Sequence, residues 1–145
     1  MALLPDVVQL VSSYLRSRPA VVELVGERVY TAYPSQLDKG TTFVLVQRIG
    51  GTPVLPRPLV IDLAVLQLDA VGGGARTSQL LVATCLDELS RLEGEQPNAA
   101  GNVAGVVVGA VRYEPDTTWK PPNPRYVADL SVTVKPSAMV LAGAT

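Results

Sequence analysis

Hydrophobic positions recur along this chain with two periods, one helical and one of two residues, and together they divide it into helical and extended segments. The first helical stretch is expected over residues 6–16. Val7, Val8, Val11, Tyr14 and Leu15 share one side, Pro5 and Asp6 act as start signals, and Pro19 ends it. A second helical turn is predicted over 20–25, stopped by Gly26. A short strand over 28–30 leads into a loop at 34–40 that is rich in turn formers. Residues 42–49 are β-branched and apolar, as a strand should be; Gly50 and Gly51 are expected to close it in a turn. Pro53, Pro56 and Pro58 then predict an irregular, extended connection.

The longest strand candidate runs over 59–69, and Gly72, Gly73 and Gly74 separate it from a helix at 76–92. On that helix Val82, Cys85, Leu86, Leu89 and Leu92 form an apolar stripe, with Asp87, Glu88 and Arg91 expected to face away. After a polar turn region at 94–102, a strand over 103–113 carries Gly105 and Gly109, where another backbone can approach closely. A Pro-rich loop at 114–124 holds Trp119 and Lys120. Residues 126–135 alternate most cleanly: Tyr126, Ala128, Leu130, Val132 and Val134 point one way, and Asp129, Ser131, Thr133 and Lys135 the other. Pro136 stops this strand, and the small-residue segment 137–145 is expected to form a flexible tail. This order predicts an α+β fold in a single domain over 1–136. A four- to five-stranded, mostly antiparallel sheet would carry two main helices packed on one face.

Composition narrows the function. The chain has 145 residues, enough for one core, and 48% of them are hydrophobic against 17% charged. Twelve Lys and Arg against thirteen Asp and Glu give a net charge of −1, without the basic excess of a nucleic-acid binder. No specific nucleic-acid partner is therefore expected, although contact with a confined genome stays open. There is no His, which removes the commonest general base and metal ligand. The lone Cys85 forms no internal disulfide. No basic region precedes the apolar N-terminal residues as in a signal peptide. The run over 59–70 is broken by Asp62, Gln67 and Asp69, so no membrane span is expected. The reading is a soluble protein made in the cytoplasm.

Candidate chemistry is sparse. Cys85 lies on an apolar helix face with no His to activate it, which points to a packed core thiol. Asp62, Asp69, Asp116 and Asp129 are scattered; Asp62 and Asp129 would approach each other only if their strands are neighbours. The 72–78 segment has the strand-turn-helix context of an anion cradle but lacks the spacing and lysine of a phosphate loop. Neither an enzymatic role nor a cofactor or metal is expected.

The unusual feature is apolar surplus on strands. Leu59, Ile61, Leu63 and Val65 lie opposite Val60, Ala64, Leu66 and Leu68; Val103, Val107 and Val111 lie opposite Ala104, Val106, Val108 and Ala110. Two helices cover one face of a sheet only, so the second apolar face is expected to be covered by a neighbouring subunit or by the chain's own loops. The candidate interface residues are Arg48, Arg57, Asp62, Asp69, Arg112, Trp119, Lys120, Arg125 and Asp129. Trp119 would be an anchor or would pack over its own sheet, and the arginines would make ion pairs with the aspartates between subunits or stay solvated.

The ordered set of segments at 26–30 with Pro34, 43–51, 62–70, 75–89 and 125–136 resembles the tail-terminator (minor tail, tail-completion) proteins of long-tailed siphoviruses. Residues that carry the likeness include the Gly26-Glu27-Arg28-Val29-Tyr30 segment, the Gly50-Gly51 pair and Leu66-Gln67-Leu68-Asp69-Ala70. The resemblance implies a virion protein at the tail–neck junction. It would form a hexameric ring that caps the tail tube, stops tail polymerisation and offers its other face to head-completion or connector proteins. The implied partners are further copies of the chain, the major tail tube protein and that head-side protein, with the genome passing through the lumen. The two-faced strands would line the subunit contacts, and the loops at 34–40, 50–58 and 114–124 would reach neighbouring rings. Another neck component, such as a connector or stopper, is the alternative reading, and a small ligand-binding domain a more distant one.

Overall fold

The computed structural model describes residues 6–54, 61–92 and 102–135. Helix α1 (Val7–Ser17) starts where Asp6 accepts a hydrogen bond from the Gln9 N–H at 3.0 Å, satisfying one of the helix's orphan donors. Helix α2 (Pro19–Val25) follows with Pro at its first position, and Gly26 ends it at φ +60°. The chain continues through strands β1 (Val29–Tyr30), β2 (Phe43–Val54) and β3 (Ile61–Val71), then helix α3 (Ala75–Ser90) and strands β4 (Asn102–Tyr113) and β5 (Arg125–Lys135).

The five strands form one sheet in the order β1-β2-β3-β5-β4. Only the short β1 runs parallel to its neighbour; the β2–β3, β3–β5 and β4–β5 pairs are antiparallel. The α+β fold with helices on one face is thus as expected from the sequence. Period-two alternation decides which side is covered. Val44 and Val46 of β2, Ala64, Leu66, Leu68 and Ala70 of β3, and Ala128, Leu130, Val132 and Val134 of β5 form one buried cluster. Leu10, Val11, Tyr14 and Leu15 of α1 and Leu81, Val82, Cys85 and Leu89 of α3 close over them. Each fully buried Leu or Val there contributes about 1.5–3 kcal/mol through removal from water.

Three expectations need correction. Gly50 and Gly51 do not end β2: the strand runs on to Val54 through a bulge between Arg48 and Gly50. Gly51 sits at φ +97°, and a Cβ there would collide with the Leu63 carbonyl oxygen, so glycine makes the continued pairing possible. Strict alternation also fails in β4. Bulges at Val103/Gly105 and Val108/Val111 place Val103, Val106, Val108 and Val111 opposite the helix-side residues Val134, Val132, Leu130 and Ala128. Glu88, expected to face away, is buried, because Arg18 reaches it from across the helices at 2.9 Å and Arg91 at 3.3 Å. The polar turn at 94–102, the prolines at 56 and 58 and the tail at 137–145 lie wholly or largely outside the described residues.

Candidate functional site

The helix-free face of the sheet divides into three bands, counted from the end at which β1 lies. In the first, Phe43, Leu45 and Val71 are buried under Tyr30 and Leu37. The Tyr33 ring meets Phe43 edge-on at 5.8 Å. Leu37 of the 34–40 loop thus packs over this end of its own sheet. The nearby 114–124 loop is pinned by paired backbone bonds between Asp116 and Asn123. Tyr33, Asp116, Thr118, Trp119 and Arg125 line a shallow, open hollow of about 600 Å³ here. Burial opposes ionisation of Asp116, but hydrogen bonds from Thr118 Oγ1 (2.7 Å) and N (3.1 Å), helped by Arg125 and Tyr33, hold its carboxyl below the usual range.

The second band is ionic. Asp69 and Asp129 lie diagonally across β3 and β5, since Asp69 pairs with Val127 and Gln67 with Asp129. Gln67 donates to Asp69 at 3.0 Å, and the Arg125 guanidinium stands 4.0 Å from it. Burial pushes the Asp69 carboxyl up, and these two neighbours only partly offset that. Arg112 on β4 bridges Glu114 at 2.5 Å and Asp129 at 3.2 Å, contacts that favour its charged form. Asp129 Oδ1 is buried with no hydrogen-bond partner among the described residues.

The third band is apolar and open. Leu63 of β3 is 44% exposed and Val107 of β4 65% exposed, with Ile61 and Val65 half-buried and Val54 exposed beside them. Thr52, Ser131 and Thr133 complete it. No described loop or helix packs against it.

The structure places the sequence-nominated residues in these bands or on the opposite side. Arg48 and Asp62 form a bidentate pair at 2.5 and 2.8 Å, and Arg48 also donates to the Gly50 carbonyl at 3.0 Å, which clamps the β2 bulge. Asp62 is completely buried at the helix-side rim, and its hydrogen bond raises the Arg48 pKa. Asp62 and Asp129 do sit on neighbouring strands, but Asp62 pairs with Val134, and the two carboxylates lie on opposite faces. The nominated aspartates thus have arginine partners within the chain: Arg48–Asp62, Arg112–Asp129 and Arg125–Asp69. Trp119 is half-buried, Lys120 exposed, and Arg57 outside the described residues. Sequence reasoning passed over Tyr33 and Leu37; an aromatic and a leucine in a turn-rich loop were the available signal.

The sequence-nominated thiol and glycine turn are both taken up by the fold. The Cys85 thiol is buried in the core and its pKa is pushed up to about 12 by burial, then by Glu88, so it stays protonated. Gly72 N–H is bonded to the Pro124 carbonyl and Gly73 N–H to that of Gly40, so both serve the fold rather than an anion. Among the described residues no group of three or more His, Cys, Asp or Glu is disposed to hold a metal ion, and no helix is long and apolar enough to cross a membrane.

No protein-family model and no curated protein matches the sequence. Among solved structures, the fold is shared with a chain of the virion of a native gene transfer agent (GTA) particle. The two are 20% identical with a TM-score of 0.60, over 86% of this chain and 91% of that one. At that identity the likeness concerns the fold.

Proposed function

We propose that this chain is a structural subunit of a phage-like virion, and within it a tail terminator: a ring-forming protein that caps the tail tube, stops its polymerisation and presents a surface for joining the head. The observation that carries the reading is the fold, which extends over most of both chains and which the other protein uses inside an assembled particle. The order of segments that resembles siphovirus tail terminators supports the finer role. So does an apolar band left uncovered by the described chain, since a monomer rarely leaves such a band at a sheet edge. Its partners in this reading are further copies of itself, most simply six, with the tail tube protein on one side and a head-completion protein on the other. Candidate contacts outside the sheet are Trp119 and Lys120 on the 114–124 loop.

The test is electron microscopy of particles produced without the protein. Overlong tail tubes are expected for a terminator. Normal-length tails detached from heads would assign it instead to a connector or stopper, and intact, infectious or transducing particles would remove it from the virion altogether.

A further inference from the structure

Among the described residues the sheet has two uncovered edges. At one end no described strand lies beyond β4. At the other, β1 covers β2 only at Val44 and Leu45, so β2 from Gln47 onward has an uncovered outer side. Apart from Arg48, which is tied down within the chain by Asp62, both stretches lack the charges that commonly guard exposed edges: β4 reads Ala104-Gly105-Val106-Val107-Val108-Gly109-Ala110-Val111, and β2 beyond Arg48 reads Ile49-Gly50-Gly51-Thr52. Pro53, which has no N–H to give, marks the end of the usable β2 edge.

The pairing geometry makes these two edges complementary. From β2 through β3 and β5 to β4 every pair is antiparallel, so β4 runs opposite to β2. A second copy placed beside the first in the same orientation would therefore set its β2 antiparallel to β4 and continue the existing up-down order. Heights also agree. Thr52 is level with Leu63, Thr133 and Gly105, and Gly50 with Val65, Ser131 and Val107. The Leu45 level, where β1 occupies the outer side of β2, corresponds through Asp69 and Val127 to Arg112. The lower β4 bulge, between Val108 and Val111, breaks the regular ladder just short of that level.

We infer that the β4 edge, residues 104–111, pairs with the β2 edge, residues 47–52, of a second copy, joining the sheets of adjacent subunits into one. This contact is head-to-tail, so repeating it closes a ring when the rotation between copies allows. It also sets the open apolar bands of adjacent subunits side by side. The inference rests on the ring reading above, and it specifies the joint.

Amide hydrogen exchange of the full chain, compared between dilute and concentrated samples whose mass is followed by light scattering, tests it. In the assembled species, outward-facing amides of 47–52 and 104–111 should exchange at least tenfold more slowly than in the monomer. The exposed face of α3 should be unchanged. A Thr52→Cys/Gly105→Cys chain should also give an oxidised ladder of linked subunits, because the two positions share a level and a Cβ at Gly105 meets nothing; within one chain they lie three strands apart, roughly 14 Å, too far to link internally. An oligomer in which either edge exchanges as fast as in the monomer would overturn the joint while leaving the ring. A monomer at every concentration would overturn both.

Discussion

The two faces of this sheet carry similar shares of aliphatic residues on β3, yet they meet different fates. On the helix side, Ala64, Leu66, Leu68 and Ala70 are sealed under α1 and α3. On the other side cover is graded: aromatic and loop residues close one end, an ion-pair band crosses the middle, and Leu63 and Val107 stand open at the far end. Apolar content alone therefore does not locate an interface. Much of the second face is closed by the chain itself, and what stays open among the described residues is the band next to the uncovered strand edges.

The contrast can be broken first on the sealed side. Leu66→Ala removes a fully buried side chain at the centre of the core and should lower stability by about 3–4 kcal/mol in urea unfolding at low protein concentration. A loss under about 1 kcal/mol would mean that the helices do not pack as described. Arg48→Ala should lose about 3 kcal/mol, because it strands the wholly buried Asp62 carboxylate without its counter-charge. Pairing it with Asp62→Leu should recover most of that loss, which a merely lost packing contact would not do.

The ionic band gives a smaller effect whose sign depends on pH. The Asp69 carboxyl is raised in the folded protein, so the folded state holds its proton more tightly than the unfolded chain does. Stability contributed by that proton is present at low pH and lost as pH rises through the folded pKa. Asp69→Asn should therefore raise the urea midpoint at pH 7. Its advantage should shrink on acidification through the window between the raised folded value and the ordinary value of 3.8. A variant less stable than the parent at pH 7 would show that the ion pair with Arg125 outweighs burial. Smallest of all, Val107→Thr on the open band should change monomer stability by no more than about 0.5 kcal/mol while weakening self-association.

Much of this architecture was legible in the sequence because local signals agreed with the fold. The alternation of β5, the Pro5-Asp6 start of α1 and the apolar stripe of α3 each specify one element and its buried side. What escaped was decided by tertiary contact. A Gly-Gly pair reads as a turn, and only the close approach of the Leu63 carbonyl makes it a bulge within a strand. Glu88 reads as a solvent-facing charge until Arg18, seventy positions away, is folded against it. Arg48, Asp62, Asp69, Arg112, Arg125 and Asp129 were recognisable as ion-pair formers. That they meet within one chain depends on strand register, which no local pattern states.

Multi-angle light scattering of the purified chain against concentration, with Val107→Asp alongside, reads self-assembly through the open band. A ring-sized species of several subunits is expected for the parent chain and a folded monomer for the variant, because a charge on the open band and its uncovered edge opposes sheet joining. A parent chain of 15.3 kDa mass at every concentration, or a variant that assembles as well as the parent, would contradict it.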